Sequence, residues 1–216
     1  MLILAHRGST ADGVYENTID AFQLAKERGA SGIETDVRKT KDDELILFHN
    51  NSIGKKAIRK LTYKQVQQRV GYKVSTLNEL LRWADSDFIL NLEIKDFDIA
   101  PEMIAELKGR WTKRQLFVSS FNHPTAFAIS RSTNTPCGII MSIRPMIVKA
   151  FFYAVPAMVD YIIWNYDIYD SIFRAELPRY KHLVYNVNEL LLGKTKKADG
   201  IISDHLDRHV QRKKVK

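Results

Sequence analysis

Eight short apolar runs alternate with helix-patterned segments along this chain, at residues 2–6, 32–38, 88–95, 116–121, 137–141, 161–165, 182–187 and 200–203. Each link between consecutive runs is long enough for a crossover helix, which parallel strands require. Eight such units in 216 residues predict one α/β domain, a single (β/α)8 TIM-type barrel spanning 1–207. The alternative is a doubly wound open sheet. No Gly-x-Gly-x-x-Gly follows any of the runs, which weakens that alternative.

Local signals place the helices. Asn17 can cap a first helix with Asp20 in its opening turn and Ile19, Phe22, Leu24 and Ala25 inward, and Gly29 is a natural stop. Ser75 or Thr76 caps a helix through about residue 84, and others are expected near 101–110, 125–131, 171–177 and 189–196. The apolar stretch 146–159 reads as a helix and loop packed on the core, being shorter than a bilayer span and broken by Pro156.

One run breaks the pattern. Residues 45–49 follow the second strand after a link too short for a parallel crossover, so they should return antiparallel beside it as a β-hairpin extension. With the turn near Asp42 and Asp43, His49 falls roughly opposite Asp36. A short insertion, about 50–74, then separates His49 from the next helix.

Chemistry in such a barrel sits at the C-terminal ends of the strands. Read in order, those ends supply His6 and Arg7, then Glu34 and Asp36, then Glu93 and Lys95, then Ser119 to Phe121, Trp164, Tyr185 with Asn188, and Asp204. Glu34 and Asp36 are alternate residues and share a strand face, as do Glu93 and Lys95. Carboxylates packed on one face repel unless a cation or protons intervene, and a hard divalent ion such as Mg²⁺ or Ca²⁺ prefers such oxygen ligands. His6 and His49 can serve as general acid and base. Arg7 offers a fork for phosphate oxygens and Lys95 a compact charge, while Trp164 and Tyr185 would form aromatic walls. The inventory suits cleavage of a phosphodiester, whose alkoxide leaves poorly without an acid. Ser120 has no local histidine partner, so a serine-hydrolase role is disfavoured.

The formal net charge of +8 points to an anionic partner. A small phosphodiester fits best. Nucleic acid is disfavoured because the cations are not interleaved with aromatics. A weak membrane-surface contact is the lesser alternative, and residues 208–216 read as a basic, solvated tail. Cys137 is the single cysteine and fits a reducing, cytoplasmic setting. The opening apolar run is too short for a signal peptide and lacks a basic region before it. Oligomeric state is not written in these patterns.

The chain resembles the glycerophosphodiester phosphodiesterase family. The blocks that carry the likeness are AHRGSTADGVYENTIDAF, GASGIETDVRKTKDDELILFHN, LNLEIK, VSSF, VYNVN and ADGIISDHLD, which together reach from the first residues to about Asp207. The resemblance implies a phospholipase-C-like barrel, a divalent metal, and hydrolysis of a glycerophosphodiester to glycerol phosphate and an alcohol. By position it implies His6 and His49 as the acid–base pair, Glu34, Asp36 and Glu93 as metal ligands, and Arg7 and Lys95 as phosphate contacts. Departures from the family pattern are Tyr15 for a usual proline, Asn50 for the aspartate after the second histidine, Tyr185 for a tryptophan, and the shortened insertion. A shorter insertion leaves the mouth more open, which keeps lysophospholipid hydrolysis of the phospholipase D type as the alternative activity.

Overall fold

The computed structural model describes residues 1–109, 115–143, 158–187 and 192–210. Its strands are β1 (Leu2–His6), β2 (Gly32–Lys39), β3 (Leu45–Leu47), β4 (Ser52–Ile53), β5 (Lys56–Ala57), β6 (Ile89–Ile94), β7 (Leu116–Ser120), β8 (Cys137–Met141), β9 (Val159–Asn165), β10 (Lys181–Tyr185) and β11 (Gly200–Ser203). β1, β2 and β6 to β11 pair in parallel, in the order β1-β11-β10-β9-β8-β7-β6-β2, and a β1–β2 pairing closes the ring. This is the expected eight-stranded parallel barrel with helices around it.

Alternate residues of each strand serve two cores. Leu4, Phe117, Ile140, Ile163, Leu183 and Ile202 fill the barrel interior. Residues of the opposite parity, such as Ile3, Val118, Ile162 and Ile201, join the larger core beneath the helices. Both faces are buried, so most of the strands read as apolar runs, and β2 and β6 depart from this where they carry inward acids. At Gly32 the neighbouring strand comes so close that a Cβ would lie 2.1 Å from the Ile89 carbonyl oxygen, so no side chain fits there.

Helices α1 (Ile19–Glu27), α2 (Tyr63–Val70), α3 (Leu77–Trp83), α4 (Ala100–Leu107) and α5 (His123–Thr133) follow, with shorter ones at Ser171–Glu176, Leu192–Thr195 and Leu206–Val210. Thr76 caps α3 in a capping box with Glu79. The cap of α1 is Thr18, which accepts from Ala21 N–H, so the expectation that Asn17 caps this helix is corrected. The expected helix at 146–159 falls almost wholly on residues 146–157, outside those described, as does the start of the one at 189–196. The expected tail at 208–216 begins inside helix Leu206–Val210, where His209 and Val210 are buried; residues 211–216 are outside those described.

The hairpin return is present. β1 pairs with β2 only over Gly32–Glu34, which frees the upper part of the same β2 edge. β3 takes it up antiparallel, with Val37 opposite Leu47 and Lys39 opposite Leu45. Phe48 N–H then donates to the Asp36 carbonyl at 2.9 Å, so His49 arrives one residue past Asp36. The insertion that follows holds the β4–β5 hairpin and α2 around its own small core of Ile46, Ile58, Leu61, Val66 and Val74.

Candidate active site

The turn after β1 sets the first two groups. Arg7 sits at φ 56° and Gly8 at φ 87°, and a Cβ on Gly8 would strike Ala21 at 2.7 Å. Left-handed backbone at a non-glycine residue is strained, and here it turns Arg7 back over the mouth. Arg7 Nη1 donates to both oxygens of Glu16 at 3.2 Å, and its Nε lies 3.2 Å from Asp36 Oδ2. His6 Nδ1 shares a hydrogen bond with Asp204 Oδ1 at 2.6 Å, while Nε2 lies 3.7 Å from Glu34 Oε2.

Strand register gathers the acids. β2 and β6 pair so that Asp36 stands beside Glu93, and Glu34 stands beside both His6 and Asn91. Carboxylate oxygens of Glu34, Asp36 and Glu93 all lie within 4.8 Å of one another. Lys95 Nζ donates to Glu93 Oε1 at 2.7 Å and lies 3.2 Å from Asp36 Oδ1. Asn17, in a left-handed conformation, is buried below them. Its Nδ2 donates to Asp36 Oδ2 at 2.9 Å, and its Oδ1 accepts from the Thr35 hydroxyl at 2.6 Å and from Asp36 N–H at 3.2 Å. These bonds hold Asp36 by Oδ2 and leave Oδ1 facing Lys95.

His49 reaches the same cavity from the hairpin. Arg38 Nε donates to the His49 carbonyl at 2.9 Å, and Arg38 Nη1 donates to Asp96 Oδ1 at 2.6 Å, which ties the segment to the end of β6. His49 Nδ1 and Asn50 Oδ1 are 3.1 Å apart.

The cavity measures about 190 Å³, and His6, Arg7, Glu34, His49, Glu93 and Lys95 line it. Ile140, Ile163 and Ile202 form its floor, with Tyr185, Phe121 and Asn186 at the side. Tyr185 and Phe121 meet edge to face at 6.3 Å. Trp164 is not in the mouth, which corrects its expected place there. Its neighbours Ile163 and Asn165 have the inward parity, so the indole points out, fully buried against Phe173, and Nε1 donates to His182 Nδ1 at 3.1 Å. Asp204 and Asn17 are among the site residues to which the sequence assigned no role here. The first is visible as a strand-end acid; the second depends on a backbone angle that no pattern announces.

The charges are strongly perturbed. Burial disfavours the His6 imidazolium, but the Asp204 hydrogen bond and the charges of Glu34 and Asp204 prevail and raise its pKa from 6.5 to about 9. The same hydrogen bond holds Asp204 below its ordinary value. Burial and then the Asp36 charge drive Glu34 well above the carboxylate range. Asp36 goes the other way: burial would raise it, but Lys95, the Asn17 hydrogen bond, Arg7 and His49 together bring it down. Neighbouring acids pushed apart in this way mark a site built for charge handling.

Two buried oxygens, Glu34 Oε1 and Asp36 Oδ1, accept no hydrogen bond. Lys95 is near Asp36 Oδ1 as an ion pair but without hydrogen-bond geometry. That leaves Glu34 Oε1 with neither a hydrogen bond nor an ion pair among the described residues, which is costly for a buried carboxylate, and three converging acids form the all-oxygen donor set that a hard divalent cation prefers. The residues present therefore fit such an ion.

Fold and site together define a (β/α)8 barrel with an acidic, histidine-flanked mouth. Residues 6–208 match the Glycerophosphoryl diester phosphodiesterase family, and the chain belongs to that family. It is 33% identical over 143 residues to a glycerophosphodiester phosphodiesterase of Caldanaerobacter subterraneus subsp. tengcongensis, covering 56% of this chain and 58% of that one, so the match spans less than two-thirds of that curated relative. Among solved structures, it resembles a glycerophosphodiester phosphodiesterase from Thermotoga maritima, with 25% identity, a TM-score of 0.81, and 98% and 97% of the two chains covered. A phosphodiesterase from Oleispira antarctica in complex with the product sn-glycerol-3-phosphate shares the fold at 22% identity, with a TM-score of 0.81 and 100% and 97% covered.

Proposed function

We propose that this chain hydrolyses glycerophosphodiesters to glycerol phosphate and an alcohol. The observation that carries the reading is the convergence of Glu34, Asp36 and Glu93, with the buried Glu34 Oε1 unpartnered among the described residues, beside a cavity that Glu34, Glu93, His6 and His49 line. These acids would hold Mg²⁺ or Ca²⁺, which when bound supplies Lewis-acid polarisation of a phosphoryl oxygen. Arg7, locked by Glu16 and Asp36, presents a fixed positive charge to the phosphate. Lys95 contributes charge chiefly by balancing Glu93 and Asp36. His6, kept protonated by Asp204, suits proton donation to the leaving alkoxide, and His49 suits proton acceptance from the attacking hydroxyl or water. The cavity is smaller than the ~300–1,000 Å³ of drug-sized pockets, which favours a compact glycerophosphoryl group. The lone Cys137 fits this activity in a reducing cytoplasm.

Exposed Phe97, Phe121 and Ile143, at the C-terminal ends of β6, β7 and β8, favour a second reading, lysophospholipid hydrolysis of the phospholipase D type. No helix among the described residues is long and apolar enough to cross a membrane.

Phosphorus NMR of glycerophosphoethanolamine and a lysophospholipid, with Mg²⁺ or Ca²⁺, separates these. The expected product is glycerol phosphate from the first. Phosphoethanolamine as product, or no turnover of any diester, would defeat the proposal.

A further inference from the structure

Apart from the basic stretch 208–216, the excess positive charge of this protein is gathered in one segment. Residues 50–74 hold seven of its 33 Lys/Arg and none of its 25 Asp/Glu, which leaves the rest of the chain at a formal +1. All seven are exposed. Arg59 pairs with Asp98 and Lys73 with Glu79, while Lys55, Lys56, Lys60, Lys64 and Arg69 make no ion pair with the described residues.

This charge is carried on a folded platform at the rim of the mouth. The segment leaves the barrel directly after His49 and returns where Ser75 accepts from Leu47 N–H at 2.8 Å. On one side Tyr72 stacks on Tyr15 of the loop after β1, with ring centroids 4.1 Å apart. On the other, Arg59 reaches Asp98 in the loop after β6 at 2.5 Å. The platform thus straddles β2, and beside it stand the exposed side chains of Tyr15 (57%) and Phe97 (67%), with Phe121 and Ile143 on the next two strand ends. Clustered cations flanked by exposed aromatic and aliphatic side chains match the two components of an anionic bilayer, its headgroup charge and its apolar boundary.

We propose that the 50–74 platform and the adjoining apolar rim form a docking surface for an anionic lipid bilayer, which holds the mouth of the barrel at the membrane. The proposal concerns binding and is read without turnover. The test is sedimentation of the full chain with phosphatidylcholine vesicles, with and without about 30% phosphatidylglycerol, at about 0.1 M and about 1 M salt. Binding is expected only with phosphatidylglycerol and only at low salt. Replacing Lys55, Lys56, Lys60, Lys64 and Arg69 by Gln should lower the partition coefficient about tenfold or more, with circular dichroism and kcat on a soluble diester unchanged. Gln at Lys181, Lys196 and Lys197, outside the platform, should have little effect, and Phe97→Ser should weaken binding with the charge intact. No binding by the wild type, equal binding by the five-site variant, or attachment to a DNA oligomer but not to vesicles would overturn the proposal. So would a salt-dependent kcat/KM on the soluble diester with no sedimentation, which would mean attraction of small anions only.

Discussion

His6 and Asp204 meet where the first and last strands of the barrel pair, Nδ1 to Oδ1 at 2.6 Å, from the ends of β1 and β11. The pairing raises His6 and lowers Asp204. Asp204→Asn should therefore bring the His6 pKa down from about 9, as followed by NMR titration of the metal-free protein. An unchanged His6 pKa would contradict this reading. His6 is raised above its unfolded value of 6.5, so its contribution is full below 6.5 and lost as pH rises through about 9. Asp204 is depressed, so its contribution is present above 3.8 and lost as pH falls through the lower folded value. The stability gap between wild type and Asp204→Asn should be widest between pH 3.8 and 6.5 in chemical denaturation series.

His6→Ala and His49→Ala should each lower kcat by on the order of 10²-fold or more, with circular dichroism unchanged. A variant that turns over at the wild-type rate would remove that histidine from the proton-transfer pair.

Asn17 touches Asp36 and none of the other acids through the bonds described, so it acts as a positioning residue. Asn17→Ala frees Asp36 to rotate and should weaken divalent-cation binding by about 10–100-fold, the usual cost of losing such a support. Calorimetric titration checks this. Asn17→Asp, which removes the Nδ2 donor and adds a charge, should not restore the affinity.

Trp164→Phe should lower Tm and leave KM unchanged, because the indole faces the helices. Removing its N–H strands the buried His182 Nδ1, at a cost of about 1–3 kcal/mol. For a chain of this size that is about 2–4 °C of Tm per kcal/mol. A rise in KM at constant Tm would place the ring in the mouth after all.

The barrel was legible because crossover length leaves few choices: eight apolar runs spaced by helical segments admit little else. The antiparallel return of His49 was legible for the same reason, since the link before Leu45 is too short for anything but a hairpin. Parity at the strand ends was not. Trp164 and Ile163 are both buried, one outside the barrel and one inside, so hydrophobicity carries no information about which way either points. Asn17 reads as a helix cap by residue type, and only its left-handed φ of 57° directs the side chain under Asp36 while Thr18 takes the cap. The basic cluster in 50–74 was present in the composition but lost within a whole-chain charge.

The most direct test is a calorimetric titration of Mg²⁺ and Ca²⁺ into the wild type and Glu34→Gln, paired with glycerophosphodiester turnover before and after chelation. One cation should bind per chain, the affinity should fall in Glu34→Gln, and chelation should stop turnover until divalent ion is returned. Turnover that persists in chelator, or equal affinity in both proteins, would mean that Glu34, Asp36 and Glu93 do not hold the ion on which hydrolysis depends.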